Sequence, residues 1–124
     1  MDHMEKVREL RARTDVHFNC CQAVLATFAQ DLGLTEEQAF RLGANFGSGM
    51  RCGSACGALT GGLMVLGMMG CGEEQSNTFR NKFRADHGDI NCAVLLKAAH
   101  EAGIPRKTHC DGLVFEVVEA LDAL

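Results

Sequence analysis

The chain has 124 residues, 47% apolar and 23% charged, with 12 Lys and Arg against 16 Asp and Glu and a formal net charge of −4. This excludes a disordered chain and predicts a single helical domain over 1–124, long enough to bury its own core. The acidic balance, with no basic stripe, no Trp and no Tyr, argues against nucleic acid as a partner.

The first segment, MDHMEKVRELRART, is charged and lacks the apolar run of a secretory signal, so a cytoplasmic location is expected. Within it Met4, Val7 and Leu10 recur every three residues, which predicts an amphipathic helix over 3–13. Lys6, Arg8, Arg11 and Arg13 read as its solvated face. Asn19 is a good N-cap, with Asp15 as a competing earlier start, for a helix over 20–32 carrying Val24, Leu25, Phe28 and Leu32 and stopping at Gly33. Thr35-Glu-Glu-Gln38 is a capping box opening a helix over 36–46. Gly43, Gly47, Gly49, Gly53 and Gly57 then make a glycine-rich loop without the Lys-Ser/Thr of a phosphate loop.

An apolar helix is predicted over 56–69. Its pairs Gly57/Gly61 and Ala58/Gly62 suit close approach of another helix, since each glycine costs about 1 kcal/mol of helix propensity. The uncharged stretch Ala55–Gly72 contains six glycines and reads as core, not as a membrane span. Helices follow over 74–87, ending at Gly88, and over 91–102, with Asn91 as cap and Gly103 as stop. Pro105 breaks the chain, and Thr108-His-Cys-Asp111 predicts a last helix over 110–124. No segment alternates as a strand. The expectation is an all-α compact bundle of about six main helices with a glycine-rich loop.

Seven cysteines are the anomaly. The number is odd and no secretory context favours disulfides, so metal, redox or catalytic chemistry is the better reading of the set. Cys20, Cys56, Cys92 and Cys110 each fall in the first turn of a predicted helix. Free N–H groups and the positive end of the dipole there favour a thiolate, the form that attacks and that binds metal. Each of the four is therefore expected to be more acidic than a free cysteine. With neighbouring helices alternating in direction, the starts of 20–32, 56–69 and 91–102 share one end of the bundle. An extended 103–109 connection would return Cys110 to the same end. Cys21 lies nearer the centre of its apolar stripe and reads as core. Cys52-x3-Cys56 is a further possible pair, and Cys71, in a Gly-Cys-Gly turn, reads as incidental. His109 could assist a thiolate but reads as a surface residue, and His17, His87 and His100 as ordinary ones. No C-x2-C is present, which excludes a zinc ribbon or a thioredoxin-type motif.

Cys56-Gly-Ala-Leu-Thr-Gly61 resembles the CGAxxG signature of the C_GCAxxG_C_C family, named for a redox activity inferred from its four cysteines. Asn19-Cys20-Cys21-Gln22-Ala23-Val24 is similar to the family's first motif, with Cys21 where a small residue is usual. The Gly47–Gly53 loop and then Cys92 and Cys110 match the remainder. The resemblance implies a redox protein. A related helical domain in split-Soret cytochromes c implies an iron–sulfur or electron-transfer role, although this chain lacks the C-x-x-C-H needed to attach a c-type haem.

Two functions are expected from these residues. In the first, Cys20, Cys56, Cys92 and Cys110 bind an iron–sulfur cluster through four thiolates, making an electron-transfer module and not a stand-alone enzyme. In the second, two of the same cysteines cycle between thiol and disulfide without metal. A structural zinc site is a lesser alternative. The redox partner is not legible, and the uncharged 55–72 segment with six Met leaves room for a homodimer.

Overall fold

The computed structural model describes residues 1–124. It is all-α: α1 (His3–Ala12), α2 (Cys20–Phe28), α3 (Glu36–Gly43), α4 (Gly57–Met68), α5 (Glu73–His87), α6 (Cys92–Glu101) and α7 (Arg106–Asp122). No helix is long and apolar enough to cross a membrane.

The core is built around α2, in which every residue from Cys21 to Phe28 is buried. A helix so enclosed needs neighbours that come close, and α4 does so through its glycines. A Cβ on Gly61 would lie 3.0 Å from both the Cys21 carbonyl oxygen and Val24 Cβ, and one on Gly62 would lie 2.9 Å from Val117 of α7. The small-residue pairs therefore sit where two helices press on α4. Val114, Val117, Val118 and Leu121 bring α7 into the same core.

Helix α1 lies antiparallel to α7. His3 near its start hydrogen-bonds to Asp122 at the end of α7 and to Asp31, while Arg11 near its end bonds to Asp111. Arg11 is not part of a solvated face. Its side chain is only 7% exposed, its Nε donates to Asp111 at 2.7 Å and its Nη1 to the Phe18 carbonyl.

Several boundaries differ from expectation. Helix α2 stops at Phe28 and passes through a short 3₁₀ turn, Gln30–Leu32, before Gly33 turns the chain at φ 75°. Helix α3 ends at Gly43, whose Cα packs on α2 so closely that a Cβ would meet the Gln22 amide nitrogen at 2.9 Å. Helix α7 begins at Arg106, directly after Pro105 (φ −58°, ψ 144°), so the extended 103–109 return does not exist. Proline has no N–H to lose at a helix start and its ring fixes φ near the helical value, and here it opens the helix ahead of the Thr108 signal.

The glycine-rich loop holds an unexpected element. Ser48, Gly49, Met50 and Arg51 all have positive φ, 52°, 62°, 59° and 64°, forming one left-handed turn. Three of the four carry a Cβ, which in this region costs about 1–2 kcal/mol each.

Candidate functional site

The four predicted cysteines arrive at one place by three different local devices. Cys20 is the first residue of α2, fixed by a full capping box: Asn19 Oδ1 accepts from the Gln22 amide at 2.8 Å and Gln22 Oε1 from the Asn19 amide at 2.8 Å. Asn19 Nδ2 also donates to the Gly43 carbonyl at 3.1 Å, and Gly47 packs so tightly on Asn19 that a Cβ there would sit 2.7 Å away. The cap thus ties the start of α2 to both ends of the 43–47 segment.

Cys56 and Cys92 are placed together by backbone. The Cys56 amide donates to the Ile90 carbonyl at 2.7 Å and the Cys92 amide to the Ser54 carbonyl at 2.6 Å, a short antiparallel bridge centred on Ala55 and Asn91. Each cysteine then starts its helix, Cys56 as the N-cap of α4 and Cys92 as the first residue of α6. The left-handed turn completes this unit. A Cβ on Gly49 would lie 2.3 Å from the Ser54 carbonyl and 2.7 Å from Cys92 Cβ, so only glycine fits.

Cys110 lies in the second turn of α7, not the first. It still reaches the others, because it continues the inward stripe of Leu113, Val114 and Val117. All four cysteines line one cavity of about 470 Å³, with Leu95, Leu96 and Leu113 as apolar wall. No three His, Cys, Asp or Glu side chains in the molecule are grouped tightly enough to hold a single metal ion.

Burial and charge set the acidity of these thiols. Cys20 and Cys110 are direct neighbours: Cys20 donates toward Cys110, which draws the Cys110 pKa down to about 6 against burial, helped by the guanidinium groups of Arg106 and Arg11. Cys20 keeps the shared proton, and that hydrogen bond and then burial push its own pKa up. Burial also raises Cys56. The amides of Ala58 and Leu59 oppose this from the first turn of α4 without completing a cap hydrogen bond. Burial raises Cys92 as well, and the nearby Cys110 adds to it. The expectation that all four would be more acidic than a free cysteine therefore holds only for Cys110. A helix N-terminus lowers a thiol pKa by less than dry surroundings raise it.

The remaining cysteines are elsewhere. Cys21 is fully buried, packed on Met64 Sδ at 3.8 Å, and burial lifts its pKa to about 12. Cys52 is exposed, its Sγ turned to the Gly49 carbonyl, and Cys71 is half-buried at the edge of the core. Neither lines the cavity. His109, read as a surface residue, is half-buried and lines the cavity, where burial lowers its pKa; His17, read as ordinary, is exposed at the same cavity's rim. Arg106 and Ser48, which sequence reasoning passed over, also stand in the wall and are bonded to each other. Arg11 had a signal: it lies four residues after buried Val7, on the flank of the apolar stripe. Arg106 had none beyond its place after Pro105.

An all-helical chain with four cysteines brought to one cavity from four helices defines a small cysteine-centred protein class. The family described as "Putative redox-active protein (C_GCAxxG_C_C)" matches residues 18–124, and the chain belongs to it. The match takes in α2 to α7 with all seven cysteines and leaves out α1. No curated protein and no solved structure matches the chain.

Proposed function

We propose that this chain is a small electron-transfer protein in which Cys20, Cys56, Cys92 and Cys110 hold an iron–sulfur cluster as thiolates. One observation carries the reading: four thiols line a single cavity as two pairs, Cys20 beside Cys110 and Cys56 beside Cys92. A lone tetrahedral ion at a metal–sulfur distance of ~2.3 Å needs its sulfurs mutually about 3.8 Å apart. The lack of any three-donor group disfavours that arrangement and with it structural zinc. Two pairs suit a group with more than one metal atom, and sulfur-only donors with an aliphatic wall suit iron and sulfide.

When bound, such a cluster accepts and returns single electrons. The protein's own residues offset the negative charge of four thiolates and exclude water. Arg106 and Arg11 face Cys110, the Ala58 and Leu59 amides face Cys56, and Leu95, Leu96 and Leu113 cover the cavity wall.

The contact of Cys20 with Cys110 favours a second reading, a dithiol protein without metal. The Cys110 thiolate would attack one sulfur of an external disulfide and displace the other as a thiolate. Cys20 would then lose its proton and attack Cys110 Sγ, releasing the second thiol and leaving a Cys20–Cys110 disulfide. Two electrons pass to the external disulfide; the Cys20 proton goes to one released thiolate and solvent supplies the proton for the other.

Iron and acid-labile sulfide measured on anaerobically purified protein separate the readings. A coloured protein holding both, with loss in Cys56→Ser and retention in Cys71→Ser, supports the cluster. A colourless protein that loses two thiols on oxidation, mapped to Cys20 and Cys110, supports the dithiol. A protein with neither behaviour overturns both.

A further inference from the structure

The cavity beside the thiols has a charge bias that redox chemistry at sulfur does not require. The chain carries 16 Asp and Glu, yet none lines the cavity, whereas Arg11, Arg13, Arg106 and Lys107 do. Three of these cations are already engaged. Arg11 and Lys107 share Asp111, at 2.7 Å and 3.1 Å, and Arg13 pairs with Asp15 and Glu36. Arg106 has no carboxylate partner. Its side-chain hydrogen bond runs from Nη2 to Ser48 Oγ at 3.0 Å.

The bond to Ser48, with a second contact to the Cys110 sulfur, orients the guanidinium. Ser48 begins the left-handed turn at φ 52°, so its hydroxyl is presented from a backbone conformation that a non-glycine residue seldom adopts. A guanidinium has five N–H donors in a planar fork, so the contacts to Ser48 and Cys110 leave donors for a planar anion. The Cys110 thiolate can take only part of this capacity. Leu95, Leu96 and Leu113 supply an apolar wall to the same space. A cavity of about 470 Å³ lies within the range usual for small-molecule sites, roughly 300–1,000 Å³ with apolar walls and a few fixed polar groups.

We propose that this cavity binds a small organic carboxylate, its carboxylate on the Arg106 fork beside Ser48 and its apolar body against Leu95, Leu96 and Leu113. The proposal rests on the reading of this cavity as the working site, in its metal-free form: a cluster on the four thiolates would take the same space and the same guanidinium. An inorganic oxyanion matches the charge but leaves the leucine wall uncovered, and a neutral chain matches the wall but leaves the remaining N–H donors of the guanidinium unused. The starts of α4, α6 and α7, none capped by a side chain, add to the positive potential.

The test is a titration of the whole ¹⁵N-labelled chain, purified anaerobically and freed of metal, with hexanoate, 1-hexanol and inorganic phosphate at low ionic strength. Iron and sulfide are determined on the same preparation beforehand. Hexanoate should move the amide signals of Leu95, Leu96, Arg106 and Lys107 saturably, with hexanol and phosphate each about tenfold weaker or more, the weight of one charge-assisted contact. Arg106→Gln should weaken hexanoate about tenfold and Arg106→Lys should restore part of it. Ser48→Ala, which keeps the guanidinium but loosens it, should weaken binding severalfold and serves if Arg106→Gln does not fold. Equal binding of hexanoate and hexanol, indifference to both Arg106→Gln and Ser48→Ala, or shifts confined to residues away from the cavity overturn the proposal. Absent binding by the metal-free form of a protein that holds iron and sulfide as purified refutes this proposal alone. Saturable binding in a protein with neither a cluster nor reversible thiols refutes the redox reading alone.

Discussion

At the scale of single residues, Cys110 is the outlier among seven cysteines because the Cys20 thiol donates to it and two guanidinium groups face it. The consequence is a reactivity order. In reduced, metal-free protein, alkylation of Cys110 by iodoacetamide should titrate with a midpoint near pH 6, where the folded group sits at about 6. Removing the first cause, in Cys20→Ala, should move that midpoint up toward the free-cysteine value of about 8.5. Mass mapping of the alkylated peptide across pH checks both, and an unchanged midpoint in Cys20→Ala removes the pairing of these two thiols. Cys56 and Cys92 should react only at higher pH, since burial raises both.

At the scale of elements, the close approach of α4 to α2 is the contact most sensitive to volume. Gly61 already meets the Cys21 carbonyl and Val24 at the limit of contact for a Cβ. Gly61→Leu should therefore destabilise by about 1–3 kcal/mol in urea unfolding, and an unchanged midpoint would remove close packing as the reason for glycine here. The left-handed turn predicts the opposite sign. Met50 is exposed and sits at φ 59°. Met50→Gly should relieve about 1–2 kcal/mol of backbone strain, less the roughly 0.5–1 kcal/mol of extra unfolded-chain entropy, and so stabilise the fold slightly. Denaturant midpoints of the two variants against the parent read both effects.

These elements also show what local sequence can and cannot reveal. Caps at Asn19 and Thr35, and stops at Gly33, Gly88 and Gly103, are side-chain and φ requirements within three or four residues, so spacing alone exposes them. The Gly57/Gly61 pair is likewise a surface property of one helix. The cavity is partly legible for the same reason, because three of its cysteines begin helices. The left-handed turn is not, since Ser48, Met50 and Arg51 carry no preference for positive φ, and what fixes the turn is the packing of Gly49 on Ser54 and Cys92 across the chain. Arg106 and Ser48 are 58 residues apart, and only tertiary placement makes them one unit. The start of α7 was a contest between two local signals, Pro105 and Thr108, and periodicity does not weigh one against the other.

At the scale of the molecule, an acidic chain encloses a cavity without acidic lining. Fields of this kind raise the local concentration of anions and fade with ionic strength. Iodoacetate, an anion, should alkylate Cys110 faster relative to neutral iodoacetamide than it does a free thiol such as cysteine. That advantage should largely vanish in about 0.5 M salt, where the screening length falls to a few ångström. A ratio equal to that of free cysteine at low salt would mean that the mouth of the cavity is not positive.

The splint of α1 against α7 makes a second prediction at this scale. Burial lowers the His3 pKa, but its hydrogen bonds to Asp122 and Asp31 outweigh that and leave the pKa raised above 6.5. Its stabilising contribution is fully present below 6.5 and is lost as pH rises through the raised folded value. Cys110, with its pKa drawn down to about 6, contributes a slope of the opposite sign over the same range, in the parent and in His3→Asn alike. Thermal unfolding between about pH 6 and pH 8.5 should therefore show the His3→Asn midpoint furthest below the parent's at the acid end, with the gap closing as pH rises.

Asp111, in the second turn of α7, and Asp122, at its end, lie on one uninterrupted helix, and α1 grips both, through Arg11 and His3. Eleven residues of helix separate them, about 16 Å. Asp111 adjoins Cys110, so any tilt of α7 that accompanies a change at that sulfur is transmitted along a rigid lever to the imidazole at the far end. His3 is then a remote reporter: its ring proton resonances should differ between the oxidised and reduced protein, although no atom of His3 approaches the thiols.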